Sequence, residues 1–279
     1  MKRRTMIACG IIALLFVLLI GRLIYFSIFK NGIYKRQVLS QQNYSSETLP
    51  YKRGDILDRD GNTLATSQKM YTLVLEPKNI LRSEEVQKAT IDALHKYMKL
   101  DEDKLLKFIK RHKDSYYSVY REELSYSQIA DLKDFIASDK AENVSGIVFN
   151  EKYKRRYPNQ SLASQVIGFV SDGTIGTGGI EQYYNSTLSG VDGRKYKYLN
   201  EELEQDSSIV EPENGKTVVT TIDSNIQKLA EDQLSKFEKK YGSKGSSILV
   251  MNPNNGEIYA MANSTSYNLE SPRDDKNLL

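Results

Sequence analysis

Few side chains in this sequence are of types that do chemistry, and their spacing narrows the options further. His95 and His112 both lie in Lys-rich helical stretches, where an imidazole is expected to be a solvated helix-face residue rather than a metal ligand or base. Cys9 is the only cysteine, so neither an intrachain disulfide nor a cysteine-based zinc site can form. Gly173-Thr-Ile-Gly-Thr-Gly-Gly179 is rich in glycine, but no Gly-Lys-Ser/Thr follows it and the strand–loop–helix setting of a phosphate loop is missing. What is left is charge placed beside glycine and proline. Arg53, Asp58, Arg59, Arg156 and Glu181 neighbour Gly54, Gly61, Pro158, Gly178 and Gly179 in expected turns and strand ends. Two arrangements are open. Either these charges form a polar network, in which breaking a buried pair costs about 3–5 kcal/mol, or they are separate surface charges worth under about 1 kcal/mol each. No cofactor and no metal is expected.

The elements that must position these residues follow from pattern. Leu49–Ala65 reads as strand–turn–strand, with Asp60-Gly61-Asn62 supplying the turn. Met70–Pro77 alternates as a strand. Ser83 is an N-cap with Glu84 and Glu85 behind it, Asp101–Arg111 is a second short helix, and Ser125-x-x-Gln128 is a capping box for a third. Val144–Asn150 returns to strand, and Asn159–Val170 is a short helix running into another. After the glycine-rich loop, Ile180–Asn185 reads as a helix start. Asp223 caps a helix whose apolar face carries Ile226, Leu229, Ala230, Leu234 and Phe237, with Gly242 at its end. Ser247–Met251 is apolar throughout, so cover on both faces is expected, and Asn255-Gly256 turns it back into Glu257–Ala262.

Charge is uneven along the 279 residues. Residues 1–30 hold five Lys/Arg and no acid, while residues 31–279 carry 34 basic and 36 acidic side chains. A near-neutral body argues against a nucleic-acid partner. Lys2, Arg3 and Arg4 precede an apolar run, and Met6–Phe29 as one helix would span about 36 Å, enough to cross a bilayer with some tilt. Arg22 lies close enough to one end to snorkel. No small-residue cleavage site follows. A single-pass anchor in the cell membrane is expected, with the basic tail inside and the body extracytoplasmic.

Several ordered stretches resemble the class B penicillin-binding proteins, the single-pass transpeptidases that cross-link peptidoglycan. Arg53-Gly-Asp-Ile-Leu-Asp-Arg-Asp-Gly61 with Leu64-Ala65 is similar to that family's first pedestal motif. Arg156-Tyr-Pro158 with Ala163 and Ile167–Val170 is similar to the second, and Gly178-Gly-Ile-Glu181 with Tyr184-Asn185, Leu188, Gly190 and Gly193 to the third. Thr221-Ile-Asp223, Ile226-Gln227 and Gly256–Ala260 resemble the entry to the transpeptidase domain. The resemblance implies an α+β chain in four parts. These are a tail and transmembrane anchor over 1–30, a stalk over 31–48, an elongated β-rich pedestal of the dimerisation type with a small helical insertion over 49–212, and the first helix and hairpin of an incomplete transpeptidase domain over 213–279. It also makes Arg53, Gly54, Asp58, Arg59, Gly61, Arg156, Pro158, Gly178, Gly179 and Glu181 structural pedestal residues.

The family acylates through a Ser-x-x-Lys serine, whose lysine amine helps to take the proton. Here the only such spacing is Ser27-Ile-Phe-Lys30, at the end of the apolar run. Ser266-Tyr-Asn268 fits Ser-x-Asn but stands upstream of the expected nucleophile, and Lys216-Thr217 is followed by Val218 rather than glycine. No catalytic residue is therefore assigned, and the chain is expected to be a truncated or fragmentary class B protein, inactive alone. The implied partners are the membrane, a polytopic peptidoglycan glycosyltransferase, other division or elongation proteins, and peptidoglycan stem peptides only where the missing catalytic part is present. The alternative is a non-catalytic interaction module that recruits cell-wall synthesis partners.

Overall fold

The structure is a computed structural model that describes residues 15–20, 45–171, 174–199, 205–243 and 245–272. The expected anchor over Met6–Phe29 lies outside the described residues apart from 15–20, which are helical and exposed. Among the described residues no helix is long and apolar enough to cross a membrane. Cys9 and the Ser27–Lys30 spacing also lie outside them.

Two units mix helices with β-sheets. The smaller is a three-stranded antiparallel sheet, with β8 (Gly193–Leu199) between β1 (Ser45–Leu49) and β9 (Gln205–Val210). Glu47 stands opposite Lys195 in its register. The strand β1 takes in the end of the 31–48 stretch.

The larger unit comprises residues 50–191 and 213 onward. Its spine is β3 (Thr63–Leu75), which is 13 residues long. One edge of β3 pairs with β5 (Ile147–Arg156) from Thr66↔Arg156 to Leu75↔Ile147. The other edge is shared by β2 (Ile56–Leu57) near its start and β4 (Ser118–Leu124) near its end. A short parallel strand, β10 (Val218–Val219), extends β2. The sequence places strands in the second arm of Leu49–Ala65 and over Met70–Pro77 but none across the polar Thr66-Ser-Gln-Lys69 between them, and the structure runs all three stretches into one strand. No strand is expected at β4 either, whose Ser-Val-Tyr-Arg-Glu-Glu-Leu carries little apolar alternation.

The caps expected at Ser83, Ser125 and Asp223 form, and Asp101, read from the sequence as the first residue of its helix, is a cap as well. Ser83 accepts from Val86 N–H, Asp101 from Lys104 N–H, and Asp223 from both Asn225 and Ile226 N–H, opening helices Glu84–Met98, Glu102–Arg111 and Ser224–Tyr241. Gln128 accepts from the Ser125 N–H at 2.9 Å ahead of helix Tyr126–Ile136. The first, second and fourth of these pack a core on the late half of β3, where Leu73, Leu75, Ile91, Leu94, Leu105, Ile109, Ile129 and Leu132 are buried. A second core joins Ile56, Leu64 and Ala65 to Tyr157, Ala163, Ile167, Phe169, Leu188, Tyr267 and Leu269.

Three expectations are corrected. The glycine-rich stretch is not a loop throughout: Ile175–Thr177 is a strand, β7, paired with β6 (Phe169–Ser171). In the 224–241 helix the buried stripe is Gln227, Ala230 and Leu234, whereas Leu229 and Phe237 are exposed. Finally, β11 (Ser247–Met251) is covered on one face only among the described residues. Ile248 and Val250 pack with Ala230, Leu234, Ala260 and Ala262, while Leu249 and Met251 are exposed. Its partner β12 (Ile258–Asn263) returns antiparallel beside it.

Candidate functional site

The second core carries a buried ion cluster. Arg53 enters just ahead of β2, Arg155 points inward near the end of β5, and Glu181 lies in the first turn of helix Gly179–Tyr183, a position that favours a carboxylate. Their exposures are 3%, 8% and 0%. Arg53 Nε donates to Glu181 Oε2 at 2.8 Å and Arg53 Nη2 to the Glu181 carbonyl at 3.0 Å. Arg155 Nε donates to the other oxygen, Oε1, at 2.7 Å. Tyr157 Oη donates to that same oxygen at 3.3 Å. Burial, with Glu181 beside it, pushes the Tyr157 phenol well above its usual range.

The Nη1 donors of both guanidiniums are spent on the frame. Arg53 Nη1 donates to Ser189 Oγ (2.8 Å) and Thr174 O (3.2 Å), and Arg155 Nη1 to Gly54 O (2.7 Å) and Ser67 Oγ (3.1 Å). Arg155 Nη2 is buried without a hydrogen-bond partner. Two cations thus bracket one carboxylate, and this small set of side chains ties together β2, β3, β5, the β7 turn and helix Gly179–Tyr183. Gly54 is obligatory there for steric reasons, since a Cβ would lie 1.9 Å from the Lys216 carbonyl. Guanidiniums stay charged at ordinary pH, and the hydroxyls beside them, Ser189 and Ser67 Oγ, each accept from one of these cations. The cluster is built for fastening rather than reaction.

The other motif residues fall into separate places. Asp58 is fully buried and closes the turn, its Oδ1 accepting from Asp60 N–H (2.9 Å) and Asn62 N–H (2.7 Å), its Oδ2 from Asn62 Nδ2 and Ser224 Oγ (2.6 Å). Burial raises its pKa, but these donors outweigh that and leave it below the usual carboxylate value. Gly61 holds φ +86° in that turn. Arg59 is exposed and lies over the Tyr259 ring, 4.4 Å from its centroid. Pro158 is exposed at the start of a turn. Gly178 and Gly179 have φ +71° and +49°, and a Cβ on Gly179 would meet the Val166 carbonyl at 2.2 Å. Arg156 does not reach Glu181. It donates instead to Gln68 Oε1 and to Glu270 Oε2 (3.0 Å).

Sequence reasoning therefore grouped Arg156 with Glu181 where the structure uses Arg155. Adjacent strand residues face opposite ways, so the signal present was that one of the two arginines points inward. Tyr157, Ser67 and Ser189 were not singled out. Neither was the role of Gln227, whose side-chain amide accepts from Met261 N–H (2.8 Å) and donates to Met261 O (3.0 Å). It closes the outer edge of β12 much as another strand would. His95 and His112 each place Nδ1 at 2.9 Å from a backbone carbonyl, and no potential metal cluster occurs among the described residues.

The chain is similar to proteins that are already known. Residues 48–220 match the family model described as Penicillin-binding Protein dimerisation domain, and the chain belongs to that family, within the class B penicillin-binding proteins. Stage V sporulation protein D of Bacillus subtilis (strain 168) is 28% identical over 266 residues, covering 89% of this chain and 39% of that protein. The probable peptidoglycan D,D-transpeptidase PenA of Neisseria meningitidis is 28% identical over 267 residues, covering 94% of this chain and 44% of that protein. Penicillin-binding protein 2X from Streptococcus thermophilus superposes with a TM-score of 0.68 at 25% identity, over 84% of this chain and 37% of that one. The chain spans less than half the length of each of these relatives.

Proposed function

We propose that this chain is the membrane-anchored, pedestal-bearing part of a serine-type peptidoglycan D,D-transpeptidase of bacterial cell-wall synthesis. The observation that carries the reading is the family match over residues 48–220, and relatives named as peptidoglycan D,D-transpeptidases support it. The uncharged run Thr5–Gly21 behind Lys2, Arg3 and Arg4 supports a single-pass anchor with the body extracytoplasmic. The helix 224–241 with the β11–β12 hairpin is the start of the transpeptidase domain. In this reading the pedestal is the mount, and its partners are a polytopic peptidoglycan glycosyltransferase and other division or elongation proteins. Stem peptides bind only where an acylating serine is present.

Residues 1–279 supply no such serine, because the sole Ser-x-x-Lys falls at Ser27–Lys30 in the anchor. A tag at the N-terminus follows every product of the gene through membrane isolation and fluorescent-penicillin labelling. The expected outcome is tagged protein in the membrane fraction, with label only on a product long enough to contain a further Ser-x-x-Lys. Label at the mass of residues 1–279 would overturn the account of the nucleophile. Absence of label from every tagged product would overturn the transpeptidase reading.

A further inference from the structure

Beyond β12 the chain runs back along residues 156–165 and touches them at nearly every step. Asn263 Nδ2 donates to Gln165 Oε1 at 2.8 Å, and Gln165 Nε2 donates to the Thr265 carbonyl at 2.6 Å. Tyr267 donates twice to Ser164, from N–H to Oγ (3.2 Å) and from Oη to the carbonyl (3.1 Å). Leu269 N–H donates to Gln160 O at 3.1 Å. At the end, Glu270 Oε1 accepts from Tyr157 N–H at 2.7 Å and Oε2 from Arg156 Nη1 at 3.0 Å. Between the polar contacts, Tyr267 and Leu269 are buried in the core with Tyr157, Ala163, Ile167 and Phe169.

The surface that receives this segment is strained. Gln160 and Ala163 both hold φ +52°, a conformation that L residues seldom adopt and that persists where the surroundings over-determine it. Ala163 N–H also donates to Glu231 Oε1 at 2.8 Å, so the 224–241 helix grips the same turn. Residues 264–270 themselves belong to no helix or strand. Their order rests on these contacts rather than on a ladder of their own.

We infer that residues 264–270 form a strap clamped onto the Arg156–Gln165 turn, with Glu270 as its latch. The strap couples the end of β5 to the β11–β12 hairpin. It opens as a local unit while the hairpin and helix stay folded, since those keep their own hydrogen bonds and core. Glu270 is a positioning residue, because it acts through the backbone of Tyr157 and the side chain of Arg156. Amide hydrogen exchange on the full chain tests this. Glu270→Ala is expected to speed exchange of amides 265–270 by about tenfold or more while β11, β12 and helix 224–241 keep their protection. Glu270→Gln, which retains an acceptor for Tyr157 N–H, is expected to give a smaller rise confined to the same amides. Ser164→Ala, which removes the acceptor for Tyr267 N–H, is expected to loosen that stretch as well. Unchanged exchange at 265–270 in Glu270→Ala and Ser164→Ala would overturn the strap. So would protection lost in step across the hairpin in Glu270→Gln and Ser164→Ala, which remain decisive should Glu270→Ala unfold the chain. The readout needs no activity, so its failure leaves the functional reading standing.

Discussion

Glu181 accepts from Arg53, Arg155 and Tyr157 in a fully buried position, and each partner loses water to be there. Removing the carboxylate leaves two buried cations without their counter-charge. Glu181→Ala is therefore expected to cost about 3–5 kcal/mol in denaturant unfolding. Arg156→Ala, which breaks a half-exposed pair with Glu270, should cost under about 1 kcal/mol. Asp58 contributes a pH dependence of determined sign. Its folded pKa lies below the ordinary carboxylate value, so its stabilisation is present above the unfolded pKa and is lost as pH falls through the folded one. Below about pH 4, Asp58→Asn should lose less stability on acidification than the parent chain, as read from urea midpoints across the acid range. Among these residues the sequence marks the right types beside the right glycines. The choice of Arg155 over Arg156 is invisible to it, because both lie on one strand in consecutive positions and only the register with Ser67 and Thr66 decides which faces inward.

At the scale of elements, close backbone approach sets the limits. A methyl group on Gly54 would collide with the Lys216 carbonyl at 1.9 Å and force apart β2 and the segment leading into β10. Gly61 has open space around it and only its φ of +86° to lose. Gly54→Ala is thus expected to destabilise by more than about 3 kcal/mol and Gly61→Ala by about 1–2 kcal/mol, compared by thermal melts of the two variants. Helix starts were legible because a cap is a local contract: Ser83, Asp101 and Asp223 each satisfy N–H groups two or three residues away. Strand β4 and the Thr66–Lys69 stretch of β3 were not legible. Their stability comes from pairing with β3 and β5 partners distant in sequence, and their residues are too polar to announce it.

At the scale of the whole molecule, the β11–β12 hairpin presents an apolar face that no described residue covers. Leu249, Met251 and Met261 stand 58%, 52% and 44% exposed on the β11–β12 hairpin, and exposed apolar sheet invites association. The double variant Leu249→Lys, Met251→Lys should leave the unfolding free energy within about 0.5 kcal/mol and lower self-association in sedimentation velocity. Loss of the fold would show instead that this face is packed. The outer edge of β12 is closed by Gln227 and by bonds from Asp223 N–H and Thr221 Oγ1 to the Tyr259 and Ile258 carbonyls. Among the described residues the hairpin's exposure is thus confined to one face and to the edge of β11 away from β12.

By itself the sequence determined the family, through motifs in fixed order, the helix caps, and the lack of a Ser-x-x-Lys outside residues 27–30. Those are properties of neighbouring residues, and local chemistry writes them plainly. Only the tertiary structure decided that Arg155 rather than Arg156 meets Glu181, that Gln227 serves as a strand edge, and that Glu270 latches onto Tyr157. Each of these joins residues whose meeting depends on strand register and on which way a side chain faces once the cores have packed. No periodicity of 2 or 3.6 carries that information.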